Sequence, residues 1–314
     1  MKQLPALLLT FSMCALPLAP ALSAEAAATP GHAAVRDGGS EAANKQQITR
    51  LYQLMGADPQ AAGRLFAHDL IQHDPQLADG RDAITRWIAG LGRQVWTVKH
   101  MLAERDLVFV HAHLGESAAD EWHGNNRYDL YRLDRGLVVE HWAVTAPAPQ
   151  RSANGNSAFS DVYHYTGGAP ATDPARVELN RLLARSLSED VFGKRQFGLL
   201  DRFWASGYLQ HNPYVANGRA ALASVLPYIA PPGASYRVMH AMADGDLALV
   251  CAHAADPGAN PDAPFSGTAV CDLYRMVNYE MVEHWDVAQA IPGSSVNGHA
   301  MFGSLYGKHR QGHD

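Results

Sequence analysis

The residues best suited to chemistry lie in a short motif near the end of the chain, Glu283, His284, Trp285 and Asp286. Side chains alternate along a strand, so His284 and Asp286 would share one face. Glu283 and Trp285 would share the other. On an apolar face, burial would raise the pKa of Asp286 and make it a general base at neutral pH, and His284 would donate a proton or hydrogen bond to a developing enolate oxygen. Such a pair could abstract a proton next to a carbonyl; if the other face is the apolar one, Glu283 and Trp285 take these roles.

The same motif occurs 143 residues earlier without its aspartate. Glu140, His141 and Trp142 match the later residues, and Ala143 stands where the second copy has Asp286. If Asp286 is the base, only the second copy can perform this chemistry. The first copy would then be a structural partner or a binding module.

These motifs belong to a repeat that covers most of the chain. The matching segments are 71–75 and 209–213, 129–132 and 272–275, 139–142 and 282–285, and 154–155 and 297–298. A period near 140 residues is too long for a solenoid, so the repeat predicts two whole domains of one fold.

The predicted organisation follows from this repeat and from the composition of the intervening segments. The segments are a signal peptide (1–24), a flexible lead-in (25–42), a first domain (43–165), a linker (166–174), a second domain (175–306) and a tail (307–314). Ile48, Leu51 and Met55 have helical spacing, and strand-like runs follow at 94–104, 106–114, 121–133 and 137–145. Helices followed by an antiparallel sheet indicate an α+β fold.

Four further histidines recur in the repeat. His73 and His211 end short apolar segments before a turn, where each could hold a nearby loop by a hydrogen bond. His113 and His253 lie on strand faces that could line a pocket.

Two alternatives to acid–base chemistry remain open at these positions. His111 and His113 have metal-ligand spacing, with Cys251 and His253 as their second copy, although we expect no metal. Either Glu140 and Glu283 or Asp129 and Asp272 could instead form ion pairs on adjacent strands. Their partners would be Arg132 and Arg275.

The aromatic residues of the motifs, Trp142, Trp285 and Tyr274, are predicted to form core or pocket wall. Asp129 and Asp272 are predicted to be structural.

Composition and charge exclude several classes of protein. The chain has 314 residues, of which 47% are hydrophobic and 18% charged, which is typical of a globular protein of about two domains. The formal net charge of −6 leaves no basic surplus to neutralise phosphates, so no nucleic-acid partner is expected.

The first residues predict export. Lys2 precedes an apolar run over 4–18, and the small residues Ala21, Ser23 and Ala24 follow, which is the layout of a signal peptide cleaved after Ala24. The run is shorter than the roughly 20 residues that span a bilayer. We expect a periplasmic or secreted protein with no membrane attachment after cleavage.

Two cysteines remain after such cleavage. Cys251 and Cys271 lie in strand-like runs on either side of a connection centred near Pro261, so a hairpin would bring them opposite each other. Export would allow a disulfide. Two separate buried thiols are the alternative.

The quoted motifs resemble the SnoaL-like branch of the nuclear transport factor two–like superfamily, over nearly all of the predicted mature chain. The resemblance implies a cone-shaped α+β barrel in each domain, with helices packed on a strongly curved antiparallel sheet around an apolar cavity. It places His73 and His211 at the mouth of this cavity. It also implies sheet-mediated pairing, which a tandem chain could make internally as a pseudo-dimer. Members that are enzymes use acid/base residues and usually no metal, so no cofactor is expected.

The resemblance and the motifs together predict acid/base chemistry without a cofactor, an isomerisation or aldol-type cyclisation, on a small carbonyl or aromatic compound. The alternative is a non-catalytic binding protein for a small apolar ligand. The candidate catalytic residues are Asp286, His284, His211, His253 and Glu283. The candidate ligand-binding residues are His73, His113, His141, Trp142, Trp285 and Tyr274.

Overall fold

The computed structural model describes residues 40–166 and 173–303, which form two α+β units with a similar order of elements. The first contains α1 (Glu41–Met55), α2 (Pro59–Gly63), β1 (Phe66–Gln72), α3 (Arg81–Gly90), β2 (Val95–Glu104), β3 (Leu107–Gly115), β4 (Asn125–Asp134) and β5 (Leu137–Pro147). The second contains α4 (Pro174–Ser188), a π-helical turn (Glu189–Gly193), a 3-10 turn (Phe197–Leu199), α5 (Leu200–Phe203), β6 (Trp204–Gln210), α6 (Arg219–Ile229), β7 (Ser235–Asp244), β8 (Leu247–Ala255), β9 (Thr268–Val277) and β10 (Glu280–Ala290). The predicted fold class, two tandem cone-like α+β domains, is confirmed.

Each unit has one five-stranded sheet of the same topology. The strand orders are β1-β5-β4-β3-β2 and β6-β10-β9-β8-β7. In each sheet the first strand runs parallel to the last strand of the unit, and the other neighbours are antiparallel. The parallel pairing places the end of β1 beside His141, and the end of β6 beside His284.

The helices cover the inner face of each sheet. The predicted apolar stripe of α1 is buried, and Ser40 caps this helix by accepting the backbone N–H of Ala43. Val108 and Val110 of β3 face this core, and Ala248 and Val250 of β8 face the matching core of the second unit.

The outer faces of the two sheets pack against each other. Leu130 and Trp142 of the first sheet share one apolar cluster with Leu273 and Trp285 of the second. This arrangement is the internal dimer-like pairing that the resemblance implies. A Cys251–Cys271 disulfide joins β8 to β9 within this cluster, where the two residues are directly paired.

Each unit also extends a segment across the other one. Residues 148–166 follow β5 yet pack on the second unit, where the Asn154 amide donates to two backbone carbonyls. Residues 291–303 follow β10 and pack on the first unit, where Asn297 makes the equivalent pair of bonds. The repeated Asn-Gly motif therefore marks an exchange of arms between the two domains.

The predicted signal peptide, nearly all of the lead-in, most of the linker and the tail lie outside the described residues. Within the described residues, no helix is long and apolar enough to cross a membrane.

Candidate functional site

The inner face of the second sheet carries a hydrogen-bonded cluster around His284. The His284 ring contacts Asp272 through Nε2 at 2.9 Å and Gln210 Oε1 through Nδ1 at 2.7 Å. Gln210 Oε1 also accepts the backbone N–H groups of His211 and Asn212, which identifies it as an acceptor. Both ring nitrogens of His284 therefore donate, as in an imidazolium.

The electrostatics agree with this charged form. Burial opposes the charge on His284, but the hydrogen bond to Asp272 and the negative charge of Asp286 outweigh it, so the pKa of His284 is raised. Tyr236 donates its hydroxyl to the other oxygen of Asp272 at 2.7 Å. The histidine is held in place on both sides and has no free nitrogen for a ligand.

Asp286 is the carboxylate of this cluster that remains available. Its ligand atoms and those of Asp272 and His284 lie within 4.8 Å of one another, and the Asn212 amide donates to it at 2.7 Å. Burial raises the pKa of Asp286, and the negative charge of Asp272 adds to this effect. The positive charge of His284 lowers the pKa of Asp286 but does not outweigh burial, so Asp286 is a stronger base than an ordinary aspartate.

The first domain keeps this frame but adds an arginine. His141 contacts Asp129 at 2.8 Å and Gln72 at 2.7 Å, as in the second domain. Arg127 donates to both oxygens of Asp129 and reaches Asp74 at 3.0 Å. Burial opposes ionisation of Asp129, but the charge of Arg127 outweighs it, and the pKa of Asp129 is lowered.

The second domain is also more open at these positions. Val270 stands in place of Arg127, and the seventh residue of α6, Val225, stands in place of Trp87 on α3. The three corresponding pairs are Asp74 and Asn212, Arg127 and Val270, and Ala143 and Asp286; the first member of each is buried, and the second is partly exposed. Solvent thus reaches the inner site of the second domain.

Of the two possible faces of the 283–286 motif, the inner one carries His284 and Asp286. Glu283 and Trp285 lie on the outer face, where Glu283 pairs with Arg275 at 3.0 Å. Glu140 pairs with Arg132 at 3.1 Å in the same way. The alternative of an ion pair is therefore met by the two glutamates, whereas Asp129 and Asp272 pair with Arg127 and His284 instead of Arg132 and Arg275.

His73 and His211 also lie on the outer side, so the structure does not bring them to the inner clusters. His73 contacts Glu140 and the Ala300 carbonyl, and its ring stacks on Trp142. His211 contacts Glu283 and the Ser157 carbonyl. Each therefore holds the arm of the other domain.

His113 and His253 face the other domain rather than the inner core of their own. Their Nε2 atoms contact the backbone carbonyls of His123 and Ser266, respectively, at 2.7 Å. This strand face lies on the outer side of each sheet, where Phe109 and Cys251 line a small apolar pocket between the two sheets. His113 and His253 are not among the residues that line this pocket.

The aromatic candidates divide between the two faces. Trp142 and Trp285 donate their indole N–H groups to the arms, at the Gly303 and Ser160 carbonyls. Tyr274 lies on the inner face, stacked on His284 with 4.9 Å between ring centres.

Cys251 and His253 do not form a second copy of the metal site considered for His111 and His113, because Cys251 is in a disulfide. Among the described residues, one group of three side chains has metal-ligating geometry, Asp272, His284 and Asp286. His284 would have to release a proton to join such a site, because its Nε2 donates to Asp272.

The sequence motifs missed Arg127, Gln210 and Tyr236. Gln210 could have been identified from the sequence, because Gln72 precedes His73 as Gln210 precedes His211. Arg127 is visible only as a difference between the two copies.

Residues 48–141 match the family model described as SnoaL-like domain. The first half of the chain contains a SnoaL-like domain. The comparison with curated proteins found no significant match.

Several solved structures align with about one third of the chain. An NTF2-like protein of unknown function from Mesorhizobium loti is 20% identical, with 38% of this chain and 99% of that chain covered and a TM-score of 0.32. A protein with a ketosteroid isomerase-like fold from Catenulispora acidiphila, in complex with trimethylamine, is 19% identical, with 31% and 83% covered and a TM-score of 0.27. An NTF2-like protein of unknown function from Cytophaga hutchinsonii is 10% identical, with 33% and 89% covered and a TM-score of 0.29.

Proposed function

We propose that the second domain of this SnoaL-like protein catalyses proton transfer next to the carbonyl of a small molecule, without a cofactor. The observation that carries the proposal is Asp286, a partly exposed carboxylate with a raised pKa beside the cationic ring of His284. The equivalent position of the first domain is Ala143, so the first domain has no such base.

The reaction that this geometry supports is the shift of a carbon–carbon double bond in an unsaturated ketone. Asp286 removes a proton from the carbon between the carbonyl and the double bond, which leaves an enolate and a protonated carboxyl group. The same carboxyl group returns the proton to the far carbon, so the atoms balance without a co-reactant.

The remaining residues of the cluster hold and polarise the base. The Asn212 amide fixes one oxygen of Asp286. Because both nitrogens of His284 are occupied, its contribution is the positive charge near the developing enolate rather than a donated hydrogen bond. His284 is therefore a positioning and electrostatic group, which differs from the donor role predicted from the sequence.

A β,γ-unsaturated cyclic ketone such as 3-cyclohexenone tests the proposal, because its conjugated product absorbs in the ultraviolet. Asp286→Asn should reduce the rate about 100-fold or more, the usual contribution of a general base. Asp262→Asn, at an exposed carboxylate on the loop between β8 and β9, is the matched control and should leave the rate unchanged.

The pH profile gives an independent readout. Asp286 must be ionised to act, so the rate should fall as the pH drops through the raised pKa of this group, above the ordinary aspartate value of 3.8. Equal rates in Asp286→Asn and the wild type across a panel of such ketones would refute the proposal.

We also propose that the protein is exported. The Cys251–Cys271 disulfide supports this proposal, because stable disulfides are characteristic of oxidising compartments. Intact-mass analysis of the natural protein should show a chain beginning at Glu25, and a chain that retains residues 1–24 would contradict export.

A further inference from the structure

The inner clusters of the two domains have the same number of carboxylates but different numbers of cations. In the first domain Asp74 and Asp129 flank the guanidinium of Arg127. In the second domain Asp272 and Asp286 lie together, and the position of Arg127 holds Val270.

The two carboxylates of the second domain lie opposite each other on adjacent strands. Asp272 is the counterpart of Asp129 on the repeated strand, and each accepts a histidine and a tyrosine hydroxyl. Asn212 is the counterpart of Asp74, and its amide contacts Asp286 at 2.7 Å. The second carboxylate of the cluster thus lies on the loop after β1 in the first domain and on β10 in the second.

The arginine and the tryptophan that covers it are both replaced by smaller side chains in the second domain. The Arg127 guanidinium lies 4.8 Å from the centre of the Trp87 ring, over its face. The second domain has Val270 and Val225 at these two positions.

We propose that the second domain binds a ligand with a guanidinium, amidinium or ammonium group, and that this group occupies the place that the Arg127 side chain holds in the first domain. The proposal rests on the site of the proposed function but names a second ligand class: a cation held there pairs with Asp286 and would compete with a neutral ketone rather than serve as the substrate.

The hydrogen bonds favour an organic cation over a metal ion. Asp129 binds the N–H groups of Arg127 while it still accepts His141 and Tyr52, so this frame accommodates a further N–H donor without change. A metal ion would need a lone pair from His284, whose nitrogens both carry protons in this arrangement.

Calorimetry on the whole chain at pH 7.5 tests the proposal with two probes of similar shape, the cation benzamidine and the neutral benzamide. Benzamidine should bind at least tenfold more tightly than benzamide. Asp286→Asn and Asp272→Asn should each remove this preference. Asp262→Asn should keep it, because Asp262 is an exposed carboxylate far along the β8–β9 loop.

Val270→Arg is the sharpest variant, because it supplies the cation of the first domain internally. It should abolish benzamidine binding, and circular dichroism and an unchanged or raised melting temperature should show that the variant is folded. If Val270→Arg unfolds the chain, Asp286→Asn tests the proposal instead, because it removes the charge of the side chain without changing its shape.

The inference is overturned if wild-type protein does not bind benzamidine, or binds both probes equally. Zn²⁺ binding that needs Asp272, His284 and Asp286, without a preference for benzamidine, would overturn it in favour of a metal site. The proposed function has a separate readout, since isomerisation of a neutral ketone that depends on Asp286 can persist when benzamidine fails to bind.

Discussion

Acid should destabilise this protein through histidines that the packing of the two sheets keeps neutral. Burial lowers the pKa of His100 on β2 to about 3, and the positive charge of Arg275 adds to the effect. Burial likewise lowers the pKa of the equivalent His240 on β7 to about 4, with a contribution from Arg132. His100 also contacts His111 through their Nδ1 atoms at 3.0 Å, which requires that one of these nitrogens carry no proton.

The size of the effect follows from the difference between the folded and unfolded states. A histidine of the unfolded chain titrates near 6.5, so below this pH the unfolded state binds protons that the folded state does not. Because the folded pKa is lowered, stability is lost as the pH falls through 6.5, and the loss stops only near the folded pKa. Each group costs at most about 1.4 kcal/mol per pH unit, or about 2 kcal/mol between pH 7 and pH 5.

Urea denaturation at pH 7, 6 and 5, followed by tryptophan fluorescence, measures this loss. In His100→Gln the free energy of unfolding should fall by about 2 kcal/mol less than in the wild type over this range. His68→Gln, at an exposed position of β1, is the control and should follow the wild type. If His100→Gln has the same pH dependence as the wild type, the packed sheets do not keep His100 neutral.

Three further predictions concern buried contacts of the fold. Arg127→Met should destabilise the first domain by about 3–5 kcal/mol in chemical denaturation, because it leaves buried carboxylates unpaired, and Asp129→Asn in the same chain should restore part of the loss. Replacing Cys251 and Cys271 by alanine should cost about 3 kcal/mol, given their separation of 20 residues, and an unchanged urea midpoint would contradict this. Asn297→Ala should cost about 1–3 kcal/mol and increase proteolysis of the 291–303 arm, because two backbone carbonyls lose their donor.

The sequence predicted much of the fold because local patterns and the repeat agreed. The apolar spacing of Ile48, Leu51 and Met55 predicted α1, and their burial confirms it. The hairpin centred near Pro261 correctly placed Cys251 opposite Cys271, although the sequence left the disulfide open.

The exchange of arms was not predicted, because it depends on which sheet a connecting segment packs against. The Asn-Gly motif at Asn154 and Asn297 was visible as a repeat, but its hydrogen bonds reach residues of the other domain. Long-range contacts of this kind leave no periodic signal in a single sequence.

The sequence identified residues of the candidate site but not the role of each one. Alternation along β10 correctly paired His284 with Asp286, but it left the choice of face open. The role of His284 could not be derived, because it depends on the acceptors Gln210 and Asp272, which come from two other strands. The role of Arg127 could not be derived from the sequence, because its partners Asp129 and Asp74 come from a strand and from a distant loop.

The central claim is that Asp272 and Asp286 of the second domain lack the neutralising arginine of the first. The most direct test is an NMR titration of the Asp286 carboxyl carbon and the His284 ring in the wild-type protein. The account predicts that Asp286 titrates above the ordinary 3.8 of an aspartate and His284 above 6.5. It also predicts that Val270→Arg lowers the midpoint of Asp286, because the added guanidinium stabilises the carboxylate. An Asp286 midpoint at or below 3.8 in the wild type would contradict the account, because this carboxylate would then already be neutralised.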